Sequence, residues 1–165
     1  YKSIFLKTLN ACLKFNLKTI LIYPNYDPGY KEIIKIISNK KIKNKKLLVL
    51  KNLERKTFLN LLANSKCLVG NSSCGILEAP SLKIGVINIG DRQDGREKNK
   101  NIIDCGYSDK EIFNKINYVL KNKNFARNLK SVKNFYGEGN SGKKIFKIIS
   151  KIKLNKNLLY KKTTY

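Results

Sequence analysis

Histidine, methionine and tryptophan are absent from this 165-residue chain, and arginine occurs only as Arg55, Arg92, Arg96 and Arg127. Without histidine, and with Cys12, Cys67, Cys74 and Cys105 scattered and no C-x-x-C pair among them, neither a zinc site nor a disulfide framework is indicated. No metal and no cofactor is expected, and unpaired thiols fit a reducing, cytoplasmic setting. Long apolar runs are missing too. The stretch Leu17 to Tyr23 is far shorter than the roughly 20 residues a bilayer span needs, so no membrane partner is expected. No charged-then-apolar leader is present, and a chain that lacks methionine and opens at Tyr1 inside a helical stretch reads as a fragment whose upstream domain is missing.

Acid is scarce, with 11 Asp and Glu against 35 Lys and Arg, a formal charge of +24. Such an excess invites a nucleic-acid reading, because lysines neutralise phosphates and release counterions. Here lysine is dispersed and interleaved with asparagine and isoleucine, residue types that share adenine- and thymine-rich codons. Genome bias and a solvated surface account for the charge, so a nucleic-acid partner is the weaker reading. A hydrophobic content of 42% over this length supports one well-buried core.

Apolar residues at Ile4, Phe5, Leu9, Cys12 and Leu13 recur at helical spacing, and Leu17 to Tyr23 follows as a strand stopped by Pro24. Asp27-Pro28-Gly29 is turn chemistry, and Ile33, Ile34, Ile36 and Ile37 predict a helix that ends in the polar stretch Asn39 to Lys46. Leu47 to Leu50 reads as strand, Phe58 to Leu62 as helix, and Cys67 to Val69 as a buried strand ending at Gly70. A helix is expected from Ser72 or Ser73, a strand over Ile84 to Ile89, and a polar loop over Asp91 to Asn101. Ser108 with Glu111 three residues on predicts a capping box, followed by Ile112, Ile116 and Leu120 on one helix face. Helices around Phe125 to Phe135 and Lys143 to Leu154 should flank a glycine loop at Gly137, and 155–165 should fray. Strands alternating with helices give an α/β fold, a Rossmann-like parallel sheet covered on both faces. Ligands bind beyond the carboxyl ends of such strands, which points to Tyr23-Pro24-Asn25, Gly70-Asn71-Ser72 and Asn88-Ile89-Gly90.

Three segments carry candidate chemistry. In Gly70-Asn71-Ser72-Ser73-Cys74-Gly75-Ile76-Leu77-Glu78-Ala79-Pro80, a strand-to-helix junction offers free N–H groups, two hydroxyls, and a carboxylate at Glu78 able to accept from both hydroxyls of a ribose. The same residues fit a plain serine cap with a glutamate favouring the helix dipole, and both readings stand. A serine-hydrolase elbow is excluded, since the Gly-to-Gly spacing is one residue too long and histidine is absent. The loop Asn88 to Glu97 holds both Arg92 and Arg96 in a lysine-biased chain, which indicates a need for the planar guanidinium fork, to grip a diphosphate or carboxylate. A structural pairing with Asp91, Asp94 or Glu97 is the alternative for one of them. Gly137-Glu138-Gly139-Asn140-Ser141-Gly142-Lys143-Lys144 matches G-x-G-x-x-G and nearly a P-loop, yet it follows a helix, and Lys144 stands where a magnesium-binding Ser or Thr belongs. An inter-helix turn is the better reading.

Gly70 to Pro80, Asn88-Ile89-Gly90-Asp91-Arg92-Gln93-Asp94-Gly95-Arg96, Pro24-Asn25-Tyr26-Asp27 and Tyr136-Gly137-Glu138-Gly139-Asn140 together resemble the hydrolysing UDP-N-acetylglucosamine 2-epimerases, which make N-acetylmannosamine for sialic acid synthesis. The Asn-Ser-Ser-x-Gly and Arg-Gln-x-Gly-Arg forms are similar to the hydrolysing branch. The resemblance implies a glycosyltransferase-B-type pair of Rossmann-like domains, with 1–154 as the second, UDP-binding domain, short of its first strand; a homodimer is a candidate assembly that the sequence does not decide. It implies that Ser72 and Ser73 hold the diphosphate, Glu78 the ribose, and Arg92 and Asn25 the nucleotide or sugar side, with Asn71, Gly75 and Arg96 as further candidates. The chain departs from the family pattern at Glu138, where aspartate is commoner, and at Tyr26, where a small residue is. The family reaction eliminates UDP as a base removes the C2 proton, then adds water to the glycal; its acids and bases lie in the first domain and at the end of the missing strand. No catalytic residue is therefore expected here: the chain should grip a UDP-sugar without turning it over. A diacetylated UDP-sugar is the nearest variant substrate.

Overall fold

The computed structural model describes residues 2–26, 28–137 and 139–160, and the chain divides into two compact units, Tyr1–Phe135 and Tyr136–Tyr165. The turn residue Asp27, Glu138 of the glycine loop and 161–165 of the expected tail lie outside the described residues.

The first unit runs α1 (Lys2–Leu13), β1 (Thr19–Ile22), α2 (Tyr30–Lys43), β2 (Leu47–Leu50), α3 (Arg55–Ala63), β3 (Leu68–Gly70), α4 (Cys74–Leu77), β4 (Val86–Ile89), β5 (Ile102–Cys105), α5 (Asp109–Lys121) and α6 (Lys123–Leu129). Every ladder is parallel, as the alternation predicts, but the ladders come in two pieces: β1 with β2, and β3-β4-β5. The second unit carries α7 (Ser141–Ile149) and α8 (Lys156–Leu159), the latter a single turn capped by the Asn155 side chain within the stretch expected to fray. The turn at Gly137 and Gly139, both at positive φ, precedes α7, as an inter-helix turn should.

The register of β4 sorts the core. Ile87 and Ile89 pair with Ile103 and Cys105 and point to a face covered by α1 and α5, where Ala11, Ile112 and Ile116 are buried. Val86, flanked by Leu68 and Ile102, points to the other face and meets Leu62 and Phe58 of α3 and Ala79 and Ile84 beyond α4. All four β4 residues are buried, which is why this strand reads as an apolar run rather than an alternation. The approach of α4 to β4 is close: a Cβ on Gly75 would stand 2.9 Å from Val86 Cγ1.

Three local expectations are corrected. Strand β5 was not anticipated; four residues with an exposed Asp104 give too little pattern to read. The capping box at Ser108 does not form, because the Ser108 hydroxyl makes no cap bond and Glu111 Oε1 instead accepts the Gly106 N–H at 3.1 Å, where the chain turns out of β5. The helix expected over Phe125 to Phe135 starts earlier and stops at Leu129, its first turn capped by the Asn122 side chain accepting from Phe125 N–H at 2.7 Å.

Candidate functional site

The loops after β3 and β4 meet. The backbone carbonyl of Asn71 accepts hydrogen bonds from Arg92 Nη1 at 3.0 Å and from Gln93 Nε2 at 2.8 Å. Arg92 is exposed and spends one of its five N–H donors on this contact, whereas Gln93 is buried and locks the loop in place. The guanidinium thus stands next to the serine turn that the sequence singled out.

In that turn Ser72, not Ser73, does the capping: Cys74 N–H lies 3.4 Å from Ser72 Oγ, while the Ser73 side chain makes no cap bond. Backbone bonding begins beyond it, with Gly75, Ile76 and Leu77 donating to the carbonyls of Ser72 and Ser73. Among the described residues, the N–H groups of Ser72 and Ser73 take no part. Helix α4 is only four residues long, so its dipole is weak. Gly75 is buried against Val86, a packing position.

Glu78 closes α4. Its Oε1 lies 3.4 Å from Arg55 Nη1, an ion pair in which Arg55 is exposed. Its Oε2 is buried with no hydrogen-bond partner among the described residues. An acceptor left unmet in this way costs about 1–3 kcal/mol, and Gln93 Oε1 in the facing loop is likewise buried without a partner among the described residues. Sequence reasoning missed Arg55 and Gln93. The scarcity argument that picked out Arg92 applies equally to Arg55, and would have found it.

The Arg92 loop is braced from below. Gly90 adopts φ +76°, and a Cβ there would sit 2.4 Å from the Tyr107 ring. Tyr107 OH donates to Asp91 Oδ1 at 3.0 Å. Lys98 bridges Asp104 at 2.8 Å and Asp94 at 3.3 Å, and the buried Asn88 donates to Asp104 at 2.7 Å. Burial alone would raise the Asp104 carboxyl, but the bonds from Lys98 and Asn88 outweigh it and hold the pKa below its usual value. Asp91 and Asp94 are thereby engaged by Tyr107 and Lys98, and the exposed Arg96 side chain is not brought to the Asn71 carbonyl. Asn25 is exposed just beyond β1, with no hydrogen bond to the Asn71 cluster.

The thiols are quiet. Burial, with neighbouring Cys67 adding to it, lifts Cys12 to about 12, and burial lifts Cys67 to about 11. All four cysteines are free. Among the described residues there is no His, Cys, Asp and Glu cluster suited to a metal, and no helix long and apolar enough to cross a membrane.

A family profile described as UDP-N-acetylglucosamine 2-epimerase matches residues 2–150. The chain belongs to the UDP-N-acetylglucosamine 2-epimerase family. Within the family it is 31% identical over 161 residues to the UDP-N,N'-diacetylbacillosamine 2-epimerase (hydrolyzing) of Legionella pneumophila, covering 98% of this chain and 41% of that protein. It is 39% identical over 97 residues to the UDP-N-acetylglucosamine 2-epimerase of Neisseria meningitidis serogroup B, covering 59% of this chain and 25% of that protein. The fold matches the crystal structure of a Neisseria meningitidis UDP-GlcNAc 2-epimerase bound to UDP-GlcNAc, with a TM-score of 0.68 at 20% identity over 92% of this chain and 41% of the other. It also matches the S. aureus MnaA–UDP co-structure, with a TM-score of 0.69 at 19% identity over 90% and 40% of the two chains. This member of the 2-epimerase family therefore spans about two fifths of the Legionella protein's length.

Proposed function

We propose that this chain is the nucleotide-gripping half of a hydrolysing UDP-N-acetylglucosamine 2-epimerase, with Ser72 and Ser73 on the diphosphate, Glu78 on the ribose, and Arg92 on the charge of the nucleotide. The observation that carries this reading is the double grip of Arg92 and Gln93 on the Asn71 carbonyl, which sets a guanidinium beside the uncommitted amides of Ser72 and Ser73. Such a rim stabilises a departing UDP dianion, and donors fixed in place before the reaction are worth more than water in that role. Asn25, Asn71 and Arg96 belong to the outer part of the same rim in this reading, and Gly75 serves it by packing.

Elimination of UDP with loss of the C2 proton, then addition of water to the glycal, requires acids and bases. The rest of a longer polypeptide supplies them in this proposal, so that the chain alone binds without turnover. The product is then N-acetylmannosamine, a precursor of sialic-acid-type sugars, and the four free thiols suit a cytoplasmic site. A diacetylated UDP-sugar is the second reading, favoured by the 98% coverage of this chain in the match to the Legionella enzyme.

Calorimetric titration tests the proposal. UDP should bind in preference to ADP, and its affinity should fall only modestly between about 50 and 200 mM salt, whereas multivalent phosphate-backbone binding loses roughly 10³-fold or more over that range. Equal affinity for both nucleotides, or a steep salt dependence with preference for polynucleotides, would replace it with the basic-module reading.

A further inference from the structure

Helix α4 carries Glu78 at its carboxyl end, and at four residues it is a single turn, too short to hold itself. A helix end leaves carbonyls without backbone donors, and here the sequence removes the nearest replacements. Three residues beyond Leu77 stands Pro80, which has no N–H; four beyond stands Ser81, whose N–H goes to the Glu78 carbonyl at 3.1 Å. The Leu77 carbonyl is met instead from 57 residues away. Asn134 Nδ2 donates to it at 2.8 Å and to Ser81 Oγ at 2.8 Å. A carbonyl only accepts, so the amide nitrogen is the end of Asn134 that faces α4, and its two hydrogens serve partners on either side of Glu78 in the chain.

Asn134 is itself held in place. Beyond α6 the N–H groups of Lys130, Ser131 and Val132 each donate three residues back, and Val132 is buried. Lys83 closes the turn after Pro80, at a φ of +59° that side-chain-bearing residues seldom adopt, and its Nζ donates to the Val132 carbonyl. The turn 77–83 and the strap 132–134 are therefore joined at two points, by Asn134 and by Lys83. The contact of Arg55 with Glu78 constrains far less, being a 3.4 Å pair whose arginine side chain is 74% exposed.

We propose that Asn134 is a positioning residue for the ribose: by closing the end of α4 it fixes the backbone from which Glu78 presents its carboxylate, and so sets the preference for a ribonucleotide over its 2′-deoxy form. Asn134 touches no nucleotide and acts only through Glu78. The inference rests on the reading of Glu78 as the ribose acceptor. Without the two bonds, the turn that carries Glu78 would have to be ordered at the moment of binding rather than beforehand, a cost that falls on ligands using the carboxylate most.

Calorimetric titration of the 165-residue chain and of N134A with UDP and 2′-deoxy-UDP tests it. N134A should lower the preference for UDP roughly 3- to 10-fold, the equivalent of re-ordering one side chain, and should change the affinity for 2′-deoxy-UDP by less than about 2-fold. A purely structural role would weaken both nucleotides alike and leave their ratio untouched, which overturns the assignment. A wild-type preference that survives N134A also overturns it, while the ribose reading of Glu78 stands. Absence of any preference in the wild type removes that reading and this inference with it. Should N134A not fold, NMR of the wild type decides: the Asn134 side-chain amide signals should move at the same UDP midpoint as the Glu78 amide, and less with 2′-deoxy-UDP. Signals of Asn134 that stay still at saturating UDP overturn the proposal.

Discussion

Replacing Glu78 with glutamine separates two roles of one carboxylate. Oε1 meets the exposed Arg55 at 3.4 Å, a surface pair worth no more than about 1 kcal/mol. Oε2 is buried and unmet. A ribose hydroxyl donating to it would make a hydrogen bond to a charged group, worth about 1.5–3 kcal/mol. E78Q should accordingly weaken UDP binding by roughly 10- to 150-fold, at 1.4 kcal/mol per decade. The unliganded fold should be unharmed, because the amide removes a buried charge that had lost its water; its stability should stay within about 1 kcal/mol of the wild type. Paired titrations with UDP and 2′-deoxy-UDP read the ribose contact directly. Wild type should prefer UDP, and E78Q should bind the two alike. Should E78Q keep the full preference for the ribose, or lower apo stability by more than about 2 kcal/mol, Glu78 is a structural brace for Arg55 and the assignment fails.

Further consequences concern the bracing and the thiols. R92A, which removes the guanidinium from the Asn71 carbonyl and from any bound anion, should weaken UDP binding by about 1.5–3 kcal/mol while Gln93 keeps the loop folded, as measured by calorimetry and circular dichroism. G90A combines a positive φ with a Cβ 2.4 Å from Tyr107 and should cost about 2–4 kcal/mol in thermal unfolding; G95A shares the φ of +76° but meets open space and should cost about 1–2 kcal/mol. Cys12 and Cys67 are held as neutral thiols with pKa values raised to about 12 and about 11 from 9.0, so their contribution is fully present below pH 9 and is lost as pH climbs through 11 and 12. Each should cost up to about 1.4 kcal/mol per pH unit above 9, and urea midpoints between pH 8 and 11 should flatten in a Cys12→Ala, Cys67→Ala double variant. Asp104 behaves oppositely. Its lowered pKa stabilises the fold above 3.8 and loses that effect as pH falls below it, so D104N should be less sensitive to acid than wild type.

Much of this molecule was legible because its strands are short apolar runs between strong punctuation. Gly70 ends β3 and Gly90 follows β4, so the two loops that meet at Asn71 could be placed at one rim from sequence alone. What stayed hidden depends on long-range contacts. Strand β5 is defined by its parallel pairing with β4, with Asn88 and Lys98 bonding Asp104 beside it, and no local pattern announces these contacts. Glu111 accepts the Gly106 N–H at 3.1 Å where the chain leaves β5, a contact that the spacing from Ser108 does not announce. The capping role fell to Ser72 because Ser73 already has helical backbone angles, φ −61° and ψ −21°, from which its hydroxyl makes no cap bond.

In the proposed function the serine turn and the Arg92 loop act as one anion grip. Backbone amide NMR during UDP titration reads this grip: the largest shifts should fall on Ser72 and Ser73, with Glu78 and Gln93 following at the same midpoint, and R92A should move all of these midpoints together to roughly 10- to 150-fold higher UDP. Shifts scattered over lysine-rich segments such as Lys143 to Lys153, and erased by about 200 mM salt, would contradict it.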